Sequence, residues 1–384
     1  MSVTVQLPGE GLYILNEPKV YAPPGTPFLS RVLYAAAHVV ADASADNREG
    51  KPAQLDWEAT LAFRRHLWRY GFGVAEAMDT AQRGFGLTWE TTKELIKRAC
   101  AEAKHVGGLI ACGVGTDQLS KDFAELTLDD VVQAYEEQLE YVETCGGGVI
   151  LMASRALCAT AEGPEDYLEV YGHLLEKTRA PVILHWLGEM FDPQLAGYWG
   201  SVDWREAAKT LLQIINRNPD KVDGMKMSLL DADKEIWLRR QLPKGVKMYT
   251  GDDFNYDQLI QGDEQGFSHG LLGVFDPIAP AAAAAMQALD AGDKTTYQHI
   301  LKPTVPLSRH IFEAPTFYYK TGVVFMAYLN GHQDHFEMVG GLETKRSSQH
   351  LTNLFKLADR AGLLAHPELA SERLRTVLAA QGAA

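Results

Sequence analysis

The sequence predicts a (β/α)8 barrel, an α/β TIM barrel, with a C-terminal helical extension. Three observations predict it. Short β-prone runs alternate with amphipathic helical stretches between Arg31 and Leu289, a rhythm that implies a parallel sheet. Eight such pairs fit in about 260 residues, the usual size of a closed barrel. No Gly-x-Gly-x-x-Gly follows the first run, which disfavours an open dinucleotide-binding sheet.

Residues 1–30 end in a Pro- and Gly-rich stretch (Pro23, Pro24, Gly25, Pro27) and read as an extended or hairpin-like arm. Residues 31–290 hold the barrel. Its expected strands are Val32–Val40, Gly73–Met78, Gly107–Cys112, Val149–Ala153, Val182–Trp186, Val222–Lys226, Val246–Thr250 and Phe267–Val274. The expected helices are Asp56–Tyr70, Trp89–Lys104, Leu128–Thr144, Pro164–Lys177, Trp204–Asn216, Asp233–Gln241, Tyr256–Gly262 and Ala279–Leu289. Apolar residues at three- and four-residue spacing, such as Leu61, Leu67 and Tyr70, mark their inward faces. Residues 291–384 turn all-helical, over Thr295–Val305, Thr316–Asn330, Ser347–Gly362 and Pro367–Gln381. A polar loop, Asp42–Gln54, is inserted after the first strand.

Of the 384 residues 46% are hydrophobic and 22% charged, a balance that excludes a disordered chain. The 36 basic and 50 acidic residues leave a net charge of −14, which argues against nucleic acid or anionic membranes as partners. No apolar run reaches the roughly 18 residues of a membrane span, and the first thirty residues lack a signal-peptide pattern. A cytoplasmic protein is expected. Its four cysteines have no Cys-x-x-Cys spacing and make no disulfide framework.

In a barrel the chemistry sits at the C-terminal strand ends. The polar residues predicted there are Asp79-Thr80-Ala81-Gln82-Arg83, Ser154-Arg155, His185, Lys226 and Gly251-Asp252-Asp253. Lys226 is the most informative. A desolvated amine is neutral near physiological pH and can attack a carbonyl to form a Schiff base. The alternative is a strand-end lysine paired with Asp79 or Asp252.

Gly224-Met225-Lys226, then Tyr249-Thr250-Gly251-Asp252-Asp253, then Gly266-Phe267…Gly270, resembles the dihydrodipicolinate synthase/N-acetylneuraminate lyase family. Leu87-Thr88-Trp89-Glu90 and Pro181-Val182-Ile183-Leu184-His185 extend the resemblance upstream, so that it spans roughly Arg31 to Leu289 in order and spacing. It implies a class I lyase with Lys226 as Schiff-base nucleophile, a small-molecule carbonyl substrate, no cofactor and a homo-oligomer, dimer or tetramer.

The departures qualify that reading. Asp79-Thr80-Ala81-Gln82-Arg83 stands where the family has Gly-Thr-Thr-Gly-Glu, so one of two carboxylate-binding hydroxyls is lost and an acid is introduced. His185 replaces the strand-five tyrosine, and Ala153-Ser154-Arg155 replaces the strand-four tyrosine motif. His185 and Thr80 are then candidates for proton transfer or orientation. Asp79, Arg83, Arg155, Asp252 and Asp253 are candidates for substrate binding, with Arg83 or Arg155 as possible ion-pair partners of Asp79. These changes argue against dihydrodipicolinate synthesis. They suit a lyase or aldolase acting on a 2-oxo acid or a sugar-derived carbonyl compound. Alternatives are an imine-dependent sugar-acid hydratase and a catalytically silent sugar-binding barrel. His332 and His335, three residues apart with Glu337 nearby, offer a weak metal motif; polar loop residues are the expectation, and no metal is expected. Phe317-Tyr318-Tyr319 reads as core, with one ring able to lid the site.

Overall fold

A computed structural model describes residues 3–382. Eight parallel strands close into a barrel: β3 (Leu33–Ala36), β4 (Gly73–Glu76), β5 (Ile110–Val114), β6 (Gly148–Leu151), β7 (Val182–Leu187), β8 (Val222–Ser228), β9 (Lys247–Thr250) and β10 (His269–Leu272). Each pairs with its sequence neighbour, and β10 pairs with β3 to complete the circle. Helices follow the strands and the chain ends in helices, as the alternation predicts.

Small and large side chains fill the barrel interior, Ala36, Ala75 and Ala111 against Tyr34, Ile150 and Tyr249. Close packing at this density leaves no room for a side chain at position 224. A Cβ at Gly224 would lie 2.5 Å from the Tyr249 ring and 2.7 Å from the Lys247 carbonyl. The glycine two residues before Lys226 is thus required by the tyrosine on the adjacent strand β9.

The helices start and stop on local signals. Asp56, Thr88 and Asp203 accept hydrogen bonds from the first-turn amides of their helices, and Thr127 and Asp130 form a reciprocal capping box. Gly107, Gly146 and Gly362 end helices in the left-handed conformation.

Several boundaries differ from the sequence expectation. The first strand ends at Ala36 rather than Val40, the third runs Ile110–Val114 rather than Gly107–Cys112, and the helix expected at Ala279 begins at Phe275 and carries Pro280 within it. Arg155 opens a further short helix, Arg155–Thr160, capped by Ser154. Another, Val305–Ile311, lies in the extension where periodicity marked none. Pro306 there sits in the first turn, where its missing N–H costs nothing.

Two further elements matter for the site. At the N-terminus, β1 (Thr4–Leu7) and β2 (Gly11–Ile14) form a hairpin, and the segment after it is pinned to the extension. Tyr13 and Asn16 both bond the Asp359 carboxylate, and the Lys19 amide donates to the Gly362 carbonyl. In the extension, every residue of the helix Tyr319–Leu329 is buried. This helix and the preceding Val305–Ile311 pack onto the strand-end loops, where Ser308 Oγ donates to the Asp253 carbonyl at 2.5 Å. No helix among the described residues is long and apolar enough to cross a membrane.

Candidate active site

Lys226 lies on β8 between His185 on β7 and Tyr249 on β9, at the C-terminal half of the barrel. Its side chain is buried, and its amine has no hydrogen-bond partner among the described residues. Burial lowers its pKa from the usual lysine value, while the charges of Asp79 and Asp253 pull it back up. A Cβ at position 251 would fall 2.2 Å from Ser228 Oγ and 3.0 Å from Lys226 Cε. Gly251 therefore leaves the gap through which the lysine side chain runs.

Asp253 is buried, its Oδ1 accepting the Val274 amide at 2.8 Å, and burial pushes its carboxyl up to about 8. Asp252 does something else. Its carboxylate accepts from the Phe254 and Asn255 amides and from Asn255 Nδ2, which shapes the loop after β9.

Asp79, Thr80 and Ala81 form a single helical turn after β4. Thr80 Oγ1 lies 2.6 Å from the hydroxyl of Tyr319, which donates to Asp79 Oδ2 at 2.8 Å. Tyr319 has one proton to give and gives it to Asp79, so Thr80 is the donor in the other bond. Burial holds the phenol far above its ordinary pKa, with the Asp79 charge adding to the effect. Lys320 follows on the same helix, its Nζ 2.9 Å from the Phe317 carbonyl and 3.8 Å from Asp79 Oδ2. Burial lowers the Lys320 amine to about 8, against the pull of Asp79.

His185 Nε2 is 3.3 Å from Ser228 Oγ, and its Nδ1 is buried without a partner. Burial, with the nearby Lys226 charge, holds this imidazole well below its ordinary pKa. A neutral ring can orient a substrate hydroxyl, but it is a poor store for a proton at neutral pH.

The two arginines are not partners of Asp79. The Arg83 guanidinium forks onto Asp117, at 3.0 and 2.5 Å, and reaches the Gly113 carbonyl at 2.7 Å. Arg155 Nε meets Asp192 Oδ2 at 2.5 Å. Lys226 likewise forms no ion pair with Asp79 or Asp252 among the described residues; the cation beside Asp79 is Lys320.

A cavity of about 250 Å³ opens beside these groups, lined by Asp79, Arg83, Arg155, His185, Thr116 and Ser154 among others. Thr116 Oγ1 and Ser154 Oγ lie 2.6 Å apart in its wall. Phe85, Phe123 and Phe191 make up much of its apolar surface.

His332 and His335 stand apart from this cavity. His332 packs against Phe63 and His66, and His335 Nδ1 accepts the Glu337 amide. The described residues do contain one cluster of metal-ligand type, His310, Glu313 and His350, in the extension. Its two rings stack at 4.1 Å with Glu313 bridging them.

Sequence reasoning missed Tyr319 as a polar group of the site, and Lys320 altogether. One signal was available. Lys320 is the only charge in Tyr319–Leu329, and a lone charge on a helix apolar all round must find a buried partner.

The fold is the one seen in solved dihydrodipicolinate synthase-family structures. A prophage protein of that family from E. coli K12, solved with pyruvate, superposes with a TM-score of 0.67 at 12% identity over 87% of this chain and 99% of its own. The dihydrodipicolinate synthases of Aquifex aeolicus and Thermotoga maritima give TM-scores of 0.65 and 0.64 at 13% and 15% identity, each over 87% of this chain and 99% of theirs. The fold resemblance implied by the sequence motifs therefore holds. The chain itself belongs to the family described as "Protein of unknown function (DUF993)", whose profile matches residues 9–383. No curated protein matches it in sequence.

Proposed function

We propose that the protein is a class I lyase that forms a Schiff base through Lys226 and breaks or makes a carbon–carbon or carbon–oxygen bond of a small carbonyl compound. One observation carries the reading: a buried, unpartnered amine at the mouth of a barrel, flanked by two carboxyl groups. Lys226 Nζ attacks the carbonyl carbon, and the carbinolamine loses water to give an iminium. Where a C–C bond breaks, the bond between the carbons α and β to the iminium carbon sends its electron pair into the iminium and leaves an enamine. Where a C–O bond breaks, loss of an α proton first gives the enamine, which expels the β oxygen with its electron pair as water once that oxygen is protonated. For a C–C bond, the hydroxyl on the departing carbon gives up its proton to a nearby base. The enamine is then protonated at carbon, and water hydrolyses the imine to return the lysine.

Asp253 is the candidate acid, because burial keeps its carboxyl protonated near neutral pH. The hydroxyl chain from Thr80 through Tyr319 to Asp79 is the candidate proton-handling element. It stands in a site without the two strand tyrosines that the family pattern leads one to expect. Ser154, at the position of one of them, is held by the hydroxyl of Thr116 and by its own helix amide at Leu157. In this reading residues 31–290 are the catalytic barrel, 1–30 are an arm and 291–384 complete the site. The family resemblance extends the proposal to a cytoplasmic homo-oligomer.

Enamine formation is testable without knowing the natural substrate. In D2O, wild type should exchange the protons next to the carbonyl of a bound carbonyl compound, followed by NMR, and Lys226→Ala should not. A barrel that binds such compounds without any lysine-dependent exchange would be a binding module instead.

A further inference from the structure

The charges around the cavity are already spent on one another. Its lining carries three carboxylates, Asp79, Asp117 and Asp192, against two guanidiniums, Arg83 and Arg155. Arg83 is engaged by Asp117 and by a backbone carbonyl, Arg155 by Asp192, and the neighbouring Lys320 by Asp79 and the Phe317 carbonyl. An anionic ligand would meet cations whose charge these carboxylates already offset. With Lys320 set against Asp79, three cations balance three carboxylates and the wall offers no net positive charge to draw an anion.

The position next to Lys226 is the least favourable of all. A 2-oxo acid bonds its carboxylate directly to the carbonyl carbon, so its imine on Lys226 brings that charge toward Asp79, with the buried, protonated Asp253 offering no positive charge to offset it. Like charges brought together inside a protein repel more strongly than in water. What the wall does offer suits hydroxyl groups. Carboxylate oxygens accept from them, the Thr116–Ser154 hydroxyl pair can donate or accept, and His185 Nδ1 is buried and unsatisfied. The Phe85 and Phe123 rings supply apolar surface for the C–H faces of a polyol.

Resting on the imine chemistry proposed above, we infer that the substrate is an uncharged polyhydroxylated aldehyde or ketone, neither a 2-oxo acid nor a sugar phosphate. The Asp79 carboxylate takes the place that a substrate carboxylate would otherwise fill as counter-charge to the iminium.

The test is cyanoborohydride trapping on the full-length protein with compounds of matched size, hydroxyacetone and dihydroxyacetone against pyruvate and hydroxypyruvate. Adducts are mapped to Lys226 by peptide mass spectrometry, and each compound is normalised to its trapping by N-α-acetyllysine. The uncharged pair should reach half-maximal labelling at concentrations about tenfold or more lower, a difference of about 1.4 kcal/mol. Equal or better labelling by the 2-oxo acids would overturn the inference while leaving the imine intact. No Lys226 adduct with either class would instead overturn the imine reading. Asp192→Asn supplies an independent arm, since it keeps an acceptor for the Gln194 amide but releases Arg155. Labelling by 2-oxo acids should then rise about tenfold, the same 1.4 kcal/mol. An unchanged preference in a folded Asp192→Asn protein would show that paired charges do not set the selectivity.

Discussion

Two buried lysines face the same aspartate from different parts of the chain, Lys226 from barrel strand β8 and Lys320 from a helix of the C-terminal extension. Burial lowers the basicity of both. They differ in what holds the amine. Lys320 donates to a backbone carbonyl and sits over the rings of Phe85 and Tyr319, so its charge is satisfied locally. The Lys226 amine has no such partner among the described residues, and Gly251 leaves its side chain room where a Cβ would lie 3.0 Å from Cε. A lysine locked by hydrogen bonds serves as a fixed charge; one left without them is free to lose its proton and react. In the proposed mechanism the barrel supplies the nucleophile, and the extension supplies groups that hold Asp79 in place.

The comparison breaks most sharply at Lys226. Lys226→Ala should lower turnover by at least about a thousandfold, as expected for loss of a covalent nucleophile. Its circular dichroism should be that of wild type. Next comes Gly251→Ala, which drives a methyl into Ser228 and Lys226 without touching the chemistry of either. Labelling should slow about a hundredfold. Chemical denaturation should show a loss of about 1–3 kcal/mol from overpacking.

Tyr319→Phe sharpens the division between barrel and extension. It removes the hydroxyl between Thr80 and Asp79 and leaves Lys226 unchanged. Imine trapping should persist while kcat falls about 10²–10³-fold, the range for a lost proton-transfer group. Equal loss of both would mean that the tyrosine merely supports the fold. Smaller still is the effect of pH on labelling. Only the neutral amine attacks, so the rate should rise with pH and level off above the Lys226 pKa. Burial places that midpoint below the roughly 10.4 of a free lysine.

The smallest expected effect concerns stability. Burial raises the Glu235 carboxyl, bonded to Ser268 Oγ at 2.7 Å, to about 8. Its folded pKa exceeds its unfolded value of about 4.3, so between those limits the native state binds the extra proton and stability falls as pH rises. Glu235→Gln keeps a group that can bond Ser268 and removes this dependence. Its melting temperature should decline less than that of wild type between pH 5 and pH 8, tracked by calorimetry.

Much of the barrel was legible because its signals are local. Strand-end position and the glycines at 224 and 251 singled out Lys226, and the same reasoning listed Asp79, Thr80, His185 and Asp253. All of these lie on barrel strands or on the loops that follow them, β4, β7, β8 and β9. Their partners were harder to read. Arg83 and Arg155 look free in the sequence, yet each is claimed by an aspartate 34 or 37 residues further on. Tyr319 meets Asp79 across 240 residues, a contact set by how the extension docks rather than by any periodicity. The boundary errors have the same origin. Val39 and Val40 are β-prone and fully buried, but the strand ends before them and the chain turns away into the polar loop.

Peptide mapping after borohydride reduction in the presence of a carbonyl donor puts the two lysines in direct competition. The adduct should sit on Lys226, vanish in Lys226→Ala and survive in Lys320→Met. An adduct on Lys320, or labelling that is indifferent to loss of Lys226, would contradict the assignment of the barrel lysine as the nucleophile.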